Sequence, residues 1–318
     1  MDIVACTDNN YVMPTGVMMY SVCVNNQETE ITFHVVTDKV HPYNLKKLKD
    51  TISQFRGKSI VFYDAEMIEM SEIPPMEANA YLTIVTYFRL FLTEILPSTV
   101  NKVIYLDDDI IVRQPLKPLW EYNLDGIAIA AVPEAHCTED SFYERLGYPK
   151  EMGYFNAGVL LINLKYWREH RLLSIFKDFM LNNADQIVYH DQDVLNYTLR
   201  NSKKELPIKY NLQAAFLWSD KNYALKYEKE VMSAIHNPAI LHYTGAKKPW
   251  CKSFRHPFCD SFYKYQSQTI WKDEPLQEDR PLKLRIIKFF SGILRKLRLI
   301  PELPPYGEGF ISELKPLD

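Results

Sequence analysis

Short apolar runs alternate with stretches of helical spacing along most of this chain, and that alternation predicts its elements. Residues 2–7, Asp-Ile-Val-Ala-Cys-Thr, predict a first strand, with Asp8-Asn9-Asn10-Tyr11 as a polar loop at its C-terminal end. A helix is expected from about Pro14, since proline is welcome in a first helical turn. Ile31–Val36 predict a second strand, Asn44–Gln54 a helix and Ser59–Tyr63 a third strand. This βαβαβ order argues for a parallel, doubly wound sheet. Thr86–Leu96 has the spacing of an amphipathic helix and carries Arg89. Ile127–Val132 and Val159–Leu164 predict further strands, the second led in by Tyr154–Gly158 and followed by a helix from Tyr166; Ala239–His242 predicts a late strand.

The richest stretch is Val103-Ile-Tyr-Leu-Asp-Asp-Asp109, followed by Ile110-Ile-Val112. It reads as a buried strand with three carboxylates at its C-terminal end. Strand alternation places Asp107 and Asp109 on one face and Asp108 on the other. Two carboxylates together repel unless a cation lies between them, and hard oxygen ligands suit Mg²⁺ or Mn²⁺ with a diphosphate completing the shell. A solvated acidic turn is the plain alternative. Ligands of open α/β sheets bind at the C-terminal ends of strands, and Asp8, Asp107 and His242 all fall at such ends. The first crossover lacks Gly-x-Gly-x-x-Gly, which argues against a dinucleotide cofactor.

Composition narrows the partners. A net charge of −3 over 318 residues excludes binding to nucleic acid by bulk electrostatics. The five cysteines are odd in number and widely spaced, and no secretory signal opens the chain, which points to a reducing cytosol. Cys251, His256 and Cys259 lack a fourth ligand for zinc and read as structural. No apolar run has the length of a membrane span. Over 281–300, Leu282, Ile286, Phe289, Phe290, Ile293, Leu297 and Ile300 line one helical face, flanked by lysines and arginines without an acid. That pattern fits an interfacial helix on anionic lipid, with packing against the domain as the alternative. The expected organisation is one α/β domain over 1–270 and a basic amphipathic C-terminal extension over 271–318.

Six segments in order resemble glycosyltransferase family 8, in particular bacterial lipopolysaccharide galactosyl- and glucosyltransferases. They are the opening strand with Asp8-Asn9-Asn10-Tyr11, Thr86-Tyr-Phe-Arg-Leu90, Lys102–Asp109, Tyr154–Leu164, Asp191-Gln192-Asp193 and His242-Tyr-Thr-Gly-Ala-Lys-Lys-Pro-Trp250, spread over roughly residues 1–250. The resemblance implies a GT-A type nucleotide-binding fold, with a mostly parallel central sheet, flanking helices and a C-terminal helical tail. It implies a retaining transfer of glucose or galactose from UDP-glucose or UDP-galactose to a glycan or lipid-linked saccharide, in the cytoplasm or at the inner face of the membrane. The implied metal ligands are Asp107, Asp109 and His242, holding Mn²⁺, with Mg²⁺ as the alternative. Cys6, Asp8, Asn10 and Tyr11 would line the uridine pocket. Lys248 would reach the diphosphate, and Gly245 would let the backbone come close to it. Arg89 would hold the sugar–phosphate region, Asp108 the ribose or sugar. Asn156, Ala157, Asp191 and Gln192 would surround the sugar ring, with Gln192, Asp191 and Asp108 as the catalytic group. Where relatives often carry aspartate, this chain has Val132-Pro133-Glu134, a departure in which the longer Glu134 bears on the sugar contact and the donor preference.

Because the implied residue at the anomeric carbon is Gln192, a poor nucleophile, same-face attack is favoured over double displacement. Two other readings compete. One keeps the chemistry but takes a glycogenin-like or other polysaccharide primer as acceptor. The other is a metal-dependent nucleotide-sugar phosphohydrolase or nucleotidyltransferase, in which the His242–Lys248 segment would have no role. A sugar-binding module without catalysis does not need three acids and a metal.

Overall fold

Strand β1 (Asp2–Asp8), buried from Ile3 onward, lies inside a seven-stranded sheet. The computed structural model describes residues 1–68, 84–136, 139–220, 223–279, 281, 310 and 311. The other strands of this sheet are β2 (Ile31–Asp38), β3 (Lys58–Asp64), β4 (Lys102–Leu106), β6 (Ile129–Pro133), β7 (Phe155–Asn163) and β8 (Lys203–Glu205). Their order is β3-β2-β1-β4-β7-β6-β8. A second sheet joins β5 (Ile110–Val112), β10 (Ile240–His242) and β9 (Leu212–Gln213) in that order.

The parallel half follows from its crossovers. Helix α1 (Val12–Asn25) links β1 to β2, and α2 (Pro42–Ser53) links β2 to β3. All three strands pair in parallel, and β4 pairs in parallel on the other side of β1. The chain therefore leaves β1 in one direction and returns to its other side, which opens a crevice at the C-terminal ends of β1 and β4. Alternation sorts the side chains of these strands: Ile3, Ala5, Ile104 and Leu106 join one core cluster, and Val4, Cys6, Val103 and Tyr105 join the other. At the edge of the sheet, β3 exposes Ser59, Val61 and Asp64.

Strand β7 runs against both neighbours, antiparallel to β4 and to β6. Since β6 pairs with β8 in parallel, β7 alone is reversed and the sheet is mostly parallel, as expected. The reversal brings the beginning of β7, with Asn156 and Ala157, to the edge where β4 ends. The sequence pattern places this strand but not its direction.

Three elements differ from expectation. Helix α1 begins at Val12, keeping Pro14 in its first turn. It is buried at nearly every position from Val12 to Cys23, being enclosed between the central sheet and β5. Ser21 Oγ accepts the Val112 N–H at 3.0 Å, and Asn25 Nδ2 donates to the Val112 carbonyl at 3.0 Å. The helix expected over Thr86–Leu96 is a 3₁₀ segment, Ile84–Phe91, followed by a short α-turn, Leu92–Ile95. Arg89 Nε donates to the Thr86 carbonyl at 3.0 Å, taking the acceptor that an α-helix offers to residue 90. Finally, Asp107, Asp108 and Asp109 lie past the last residue of β4, in the turn to β5.

Described residues beyond 270 pack back on this body: Trp271 is buried, and Gln277 N donates to the Trp250 carbonyl at 2.8 Å. The basic helix expected over 281–300 lies, apart from Pro281, outside the described residues. Among the described residues no helix is long and apolar enough to cross a membrane.

Gly16 tests the seating of α1. A Cβ there would come within 2.1 Å of Trp271 Cζ3 and 2.3 Å of Cη2. Gly16→Ala is expected to lower stability by about 1–3 kcal/mol, the usual range for overpacking, read as a lower urea midpoint.

Candidate metal and nucleotide-sugar site

The crevice between β1 and β4 is a cleft of about 590 Å³, lined by Cys6, Asp8, Tyr11, Val85, Thr86, Arg89, Tyr105, Asp107, Asp108, Asp109 and Lys248. Eight of these were expected from the sequence. Asp8 Oδ1 accepts the backbone N–H groups of Asn10 (2.8 Å) and Tyr11 (3.2 Å), which folds the loop after β1 over the cleft. Asn10 is exposed on that loop. The Tyr11 ring meets Trp250 edge to face at 5.7 Å. Burial pushes the Cys6 thiol up, so it lines the cleft as a neutral group.

Asp107, Asp109 and His242 converge: their ligating atoms lie within 4.8 Å of one another. His242 Nε2 is 3.2 Å from Asp109 Oδ1 and 3.8 Å from Asp107 Oδ2. Antiparallel pairing of β10 with β5 sets this arrangement, because it puts His242 opposite Ile110, next to the acidic turn. The Tyr243 N–H also donates to the Asp109 carbonyl at 3.0 Å. His242 Nδ1 faces Asn211 Oδ1 at 2.9 Å, so this nitrogen donates and Nε2 is the one turned to the two carboxylates. Two carboxylates and an imidazole nitrogen fit a divalent cation, Mn²⁺ more readily than Mg²⁺.

Cations balance the acids. Arg89 is buried with its guanidinium over the Tyr105 ring at 4.3 Å. Its Nη2 donates to Asp107 Oδ1 (2.8 Å) and its Nη1 to the Ala157 carbonyl (2.6 Å). Its Nε lies 2.9 Å from Asp191 Oδ2 while aiming its hydrogen at the Thr86 carbonyl. Burial alone would lower the arginine pKa, but Asp107 and Asp191 hold it above its ordinary value. Lys248 Nζ is buried between Asp109 Oδ2 and the Tyr243 carbonyl (3.1 Å). Burial pushes Asp109 up, yet Lys248 and His242 together hold it well below the usual carboxylate range. Asp108 turns the other way. Burial and the charge of Asp107 push its carboxyl well above that range, against the pull of the Thr15 and Thr7 hydroxyls. Gly245, exposed in the loop between His242 and Lys248, has φ +91°, a conformation that demands glycine.

Beside the cleft, the expected sugar-ring residues form one hydrogen-bonded group. Asn156 Nδ2 (2.9 Å) and Gln192 Nε2 (3.2 Å) both donate to Glu134 Oε2, and Gln192 Oε1 accepts the Ala157 N–H at 2.8 Å. Thr86 Oγ1 donates to Asp191 Oδ1 at 2.6 Å. The turn that presents Asp191 and Gln192 hangs on Asp193, which accepts two hydrogen bonds of 2.8 Å from Arg145, one from Tyr154 Oη and the N–H groups of Val188 and Tyr189. His190 within that turn has φ +50°, strain that this clamp sustains. Asp191 sits inside the first turn of the helix His190–Leu199 and does not cap it.

A model of the family described as "Glycosyl transferase family 8" matches residues 2–253. The chain belongs to glycosyltransferase family 8. General stress protein A of Bacillus subtilis is 30% identical over 282 residues, 85% of this chain and 94% of that protein. Lipopolysaccharide 1,3-galactosyltransferase of Salmonella typhimurium is 28% identical over 272 residues, covering 83% of this chain and 77% of its own. Lipopolysaccharide 1,2-glucosyltransferase of Escherichia coli K12 is 25% identical over 268 residues, covering 84% and 78%. The crystal structure of the galactosyltransferase LgtC with donor and acceptor sugar analogues superposes with a TM-score of 0.75 at 28% identity, covering 90% of this chain and 99% of that one. The GT-A type fold and glycosyltransferase membership are therefore established.

Sequence reasoning missed several residues of this family 8 site. Tyr105, whose hydroxyl donates to Asp107 Oδ1 at 2.9 Å, looked like ordinary strand core. Asn211 stands in no motif. Gly158 lies within a quoted segment but had no role. A Cβ on it would stand 2.1 Å from His242 Cε1 and 2.9 Å from Asp107 Oδ2. Its signal was present, a small residue opposite the acidic strand end. Cys251, His256 and Cys259 form no metal site: among the described residues, the three-ligand group found is Asp107, Asp109 and His242. The His256 ring stacks on Phe254, and burial lowers its pKa to about 3.

Two outcomes are expected. Gly158→Ala displaces His242 and Asp107, so Mn²⁺ affinity measured by calorimetry falls at least about 10-fold, while the circular dichroism spectrum is kept. The Asp191 carboxyl, raised mainly by burial to about 6 against 3.8 unfolded, contributes stability that falls as pH rises from about 4 to about 6. Its ¹³C carboxyl resonance should titrate near pH 6 and vanish in Asp191→Asn.

Proposed function

We propose that this chain is a metal-dependent, retaining hexosyltransferase that moves glucose or galactose from a UDP-sugar to a saccharide acceptor of a surface glycan such as lipopolysaccharide. The observation that carries this reading is the convergence of Asp107, Asp109 and His242 Nε2 on one cleft that also holds Lys248, Asp8 and Tyr11. Asp8, with Oδ1 committed to its own loop, offers Oδ2 to the uracil N3–H, and the face of Tyr11 offers a stacking surface for the base. Lys248 moves its positive charge from Asp109 to the diphosphate when donor enters. A divalent ion held by Asp107, Asp109 and His242 supplies Lewis-acid stabilisation of the departing UDP.

Around the sugar, Asn156, Ala157, Asp191, Gln192 and Glu134 provide donors and acceptors at fixed positions. Arg89 keeps Asp107 and Asp191 in place. Asp108, which lines the cleft, can hydrogen-bond a ribose or sugar hydroxyl. Gln192 is a neutral amide, a poor nucleophile, and its oxygen and nitrogen are hydrogen-bonded to Ala157 N–H and Glu134. Same-face attack by the acceptor on an oxocarbenium-like carbon then accounts for retention, with the departing phosphate oxygen taking the acceptor proton. The supply of nucleotide sugar and the basic apolar pattern over 281–300 support work at the cytoplasmic face of the membrane.

A thermal-shift series with UDP-glucose, UDP-galactose and Mn²⁺ tests the reading. Donor with Mn²⁺ should raise Tm well beyond either alone, since ligand at 100 times Kd adds about 2.7 kcal/mol. Equal shifts with unrelated nucleotides would instead favour a phosphohydrolase. Asp109→Asn should abolish metal-dependent UDP release with the circular dichroism spectrum kept, and full activity in that variant would remove Asp109 from the metal shell.

A further inference from the structure

His242 can serve a metal through Nε2 only if its proton is on Nδ1, and a chain of side-chain amides decides that. His242 Nδ1 lies 2.9 Å from Asn211 Oδ1, and Asn211 Nδ2 donates to Asn156 Oδ1 at 2.8 Å. Asn156 Oδ1 also accepts the Gly158 N–H at 2.9 Å, and Asn156 Nδ2 donates to Glu134 Oε2 at 2.9 Å. The two ends of this chain have no choice of role. A backbone N–H only donates, and an ionised carboxylate only accepts. Gly158 therefore fixes the oxygen end of Asn156, and Glu134 fixes its nitrogen end. With Asn156 fixed, Asn211 must present its NH₂ to Asn156 and its carbonyl to His242.

Turning the Asn211 amide round would set its carbonyl against the Asn156 carbonyl inside a buried site. Asn211 has no measurable exposure, so water offers no substitute partner. We infer that Asn211 is the positioning residue that locks His242 in its Nδ1–H form, with the polarity of the lock set by Gly158 and Glu134. This rests on the proposed metal-dependent transferase. It gives Glu134 a second task besides its sugar contact: the carboxylate that steadies Gln192 also sets, two amides away, that Nδ1 of His242 carries a proton. Carboxylate or amide partners of metal-bound histidines act in this way, and their loss weakens metal binding about 10- to 100-fold.

The test reads the tautomer directly, in metal-free protein labelled with ¹⁵N-histidine. Two-bond ¹H–¹⁵N spectra should show a protonated Nδ1 for His242, with or without a second proton on Nε2 toward Asp109 Oδ1, 3.2 Å away. Asn211→Leu should strip the proton from Nδ1 and weaken Mn²⁺ binding, followed by electron paramagnetic resonance, about 10- to 100-fold. Asn211→Asp keeps an acceptor for the Nδ1 proton and should keep Nδ1 protonated. The inference is overturned if Nδ1 is bare in the wild type, or if Asn211→Leu leaves both the Nδ1 proton and Mn²⁺ affinity unchanged. Should Asn211→Leu fail to fold, a bare Nδ1 in Asn211→Asp overturns it alone. A wild type that shows the Nδ1–H form but binds no Mn²⁺ supports the lock and sinks the metal reading, so the two fail separately.

Discussion

Four aspartates meet in the interior of this protein, and the Arg89 guanidinium is what lets them. Asp107, Asp108, Asp109 and Asp191 crowd around the ends of β1 and β4, where burial penalises every charge. Arg89 bridges Asp107 and Asp191 and, through the Ala157 carbonyl, ties both to the reversed strand β7. Arginine suits this place because its planar fork can serve several acceptors at once and it stays charged when buried. The remaining acids are handled differently. Lys248 and His242 keep Asp109 ionised, whereas Asp108 is held toward its neutral form. One cluster therefore contains carboxylates whose pKa values are pushed in opposite directions, a common mark of a site built for chemistry.

The backbone reason for the cluster is a branching of sheets. Strand β4 ends at Leu106, the acidic turn follows, and β5 then leaves the central sheet to pair with β10. The turn thus stands where two sheets diverge, and each supplies a member of the candidate metal group: Asp107 and Asp109 from the turn, His242 from the second sheet. Reversal of β7 adds Asn156 and Ala157 from a third direction. Gly158 is needed because these three approaches leave no room for a Cβ. Function and packing are here the same constraint.

The amide chain from His242 through Asn211 and Asn156 to Glu134 joins the candidate metal group to the Glu134–Gln192 group. A buried polar chain is stabilising only when every member is satisfied, and this one is anchored at Asn156 by two groups of fixed polarity, the Gly158 N–H and the Glu134 carboxylate. That closure makes the site rigid before any ligand arrives, which favours catalysis by pre-organised groups over catalysis by rearrangement.

Much of this was legible in the sequence, for physical reasons that hold locally. Periodicity located β1, α2, β2, β3, β4 and β10 because burial selects apolar side chains at a spacing the backbone imposes. Three consecutive acids beside apolar runs marked the site because buried like charges persist only with a purpose. Tertiary structure alone decided the rest. The direction of β7, the 3₁₀ form of Ile84–Phe91, the reversal of Arg89 toward Asp107 and Asp191, and the place of Asn211 all depend on partners far away in sequence. Asn211 meets His242 across 31 residues and Asn156 across 55, and no local pattern encodes a contact of that kind. Short-range spacing records which face of an element is buried; which buried groups then face each other is settled only when the sheets close.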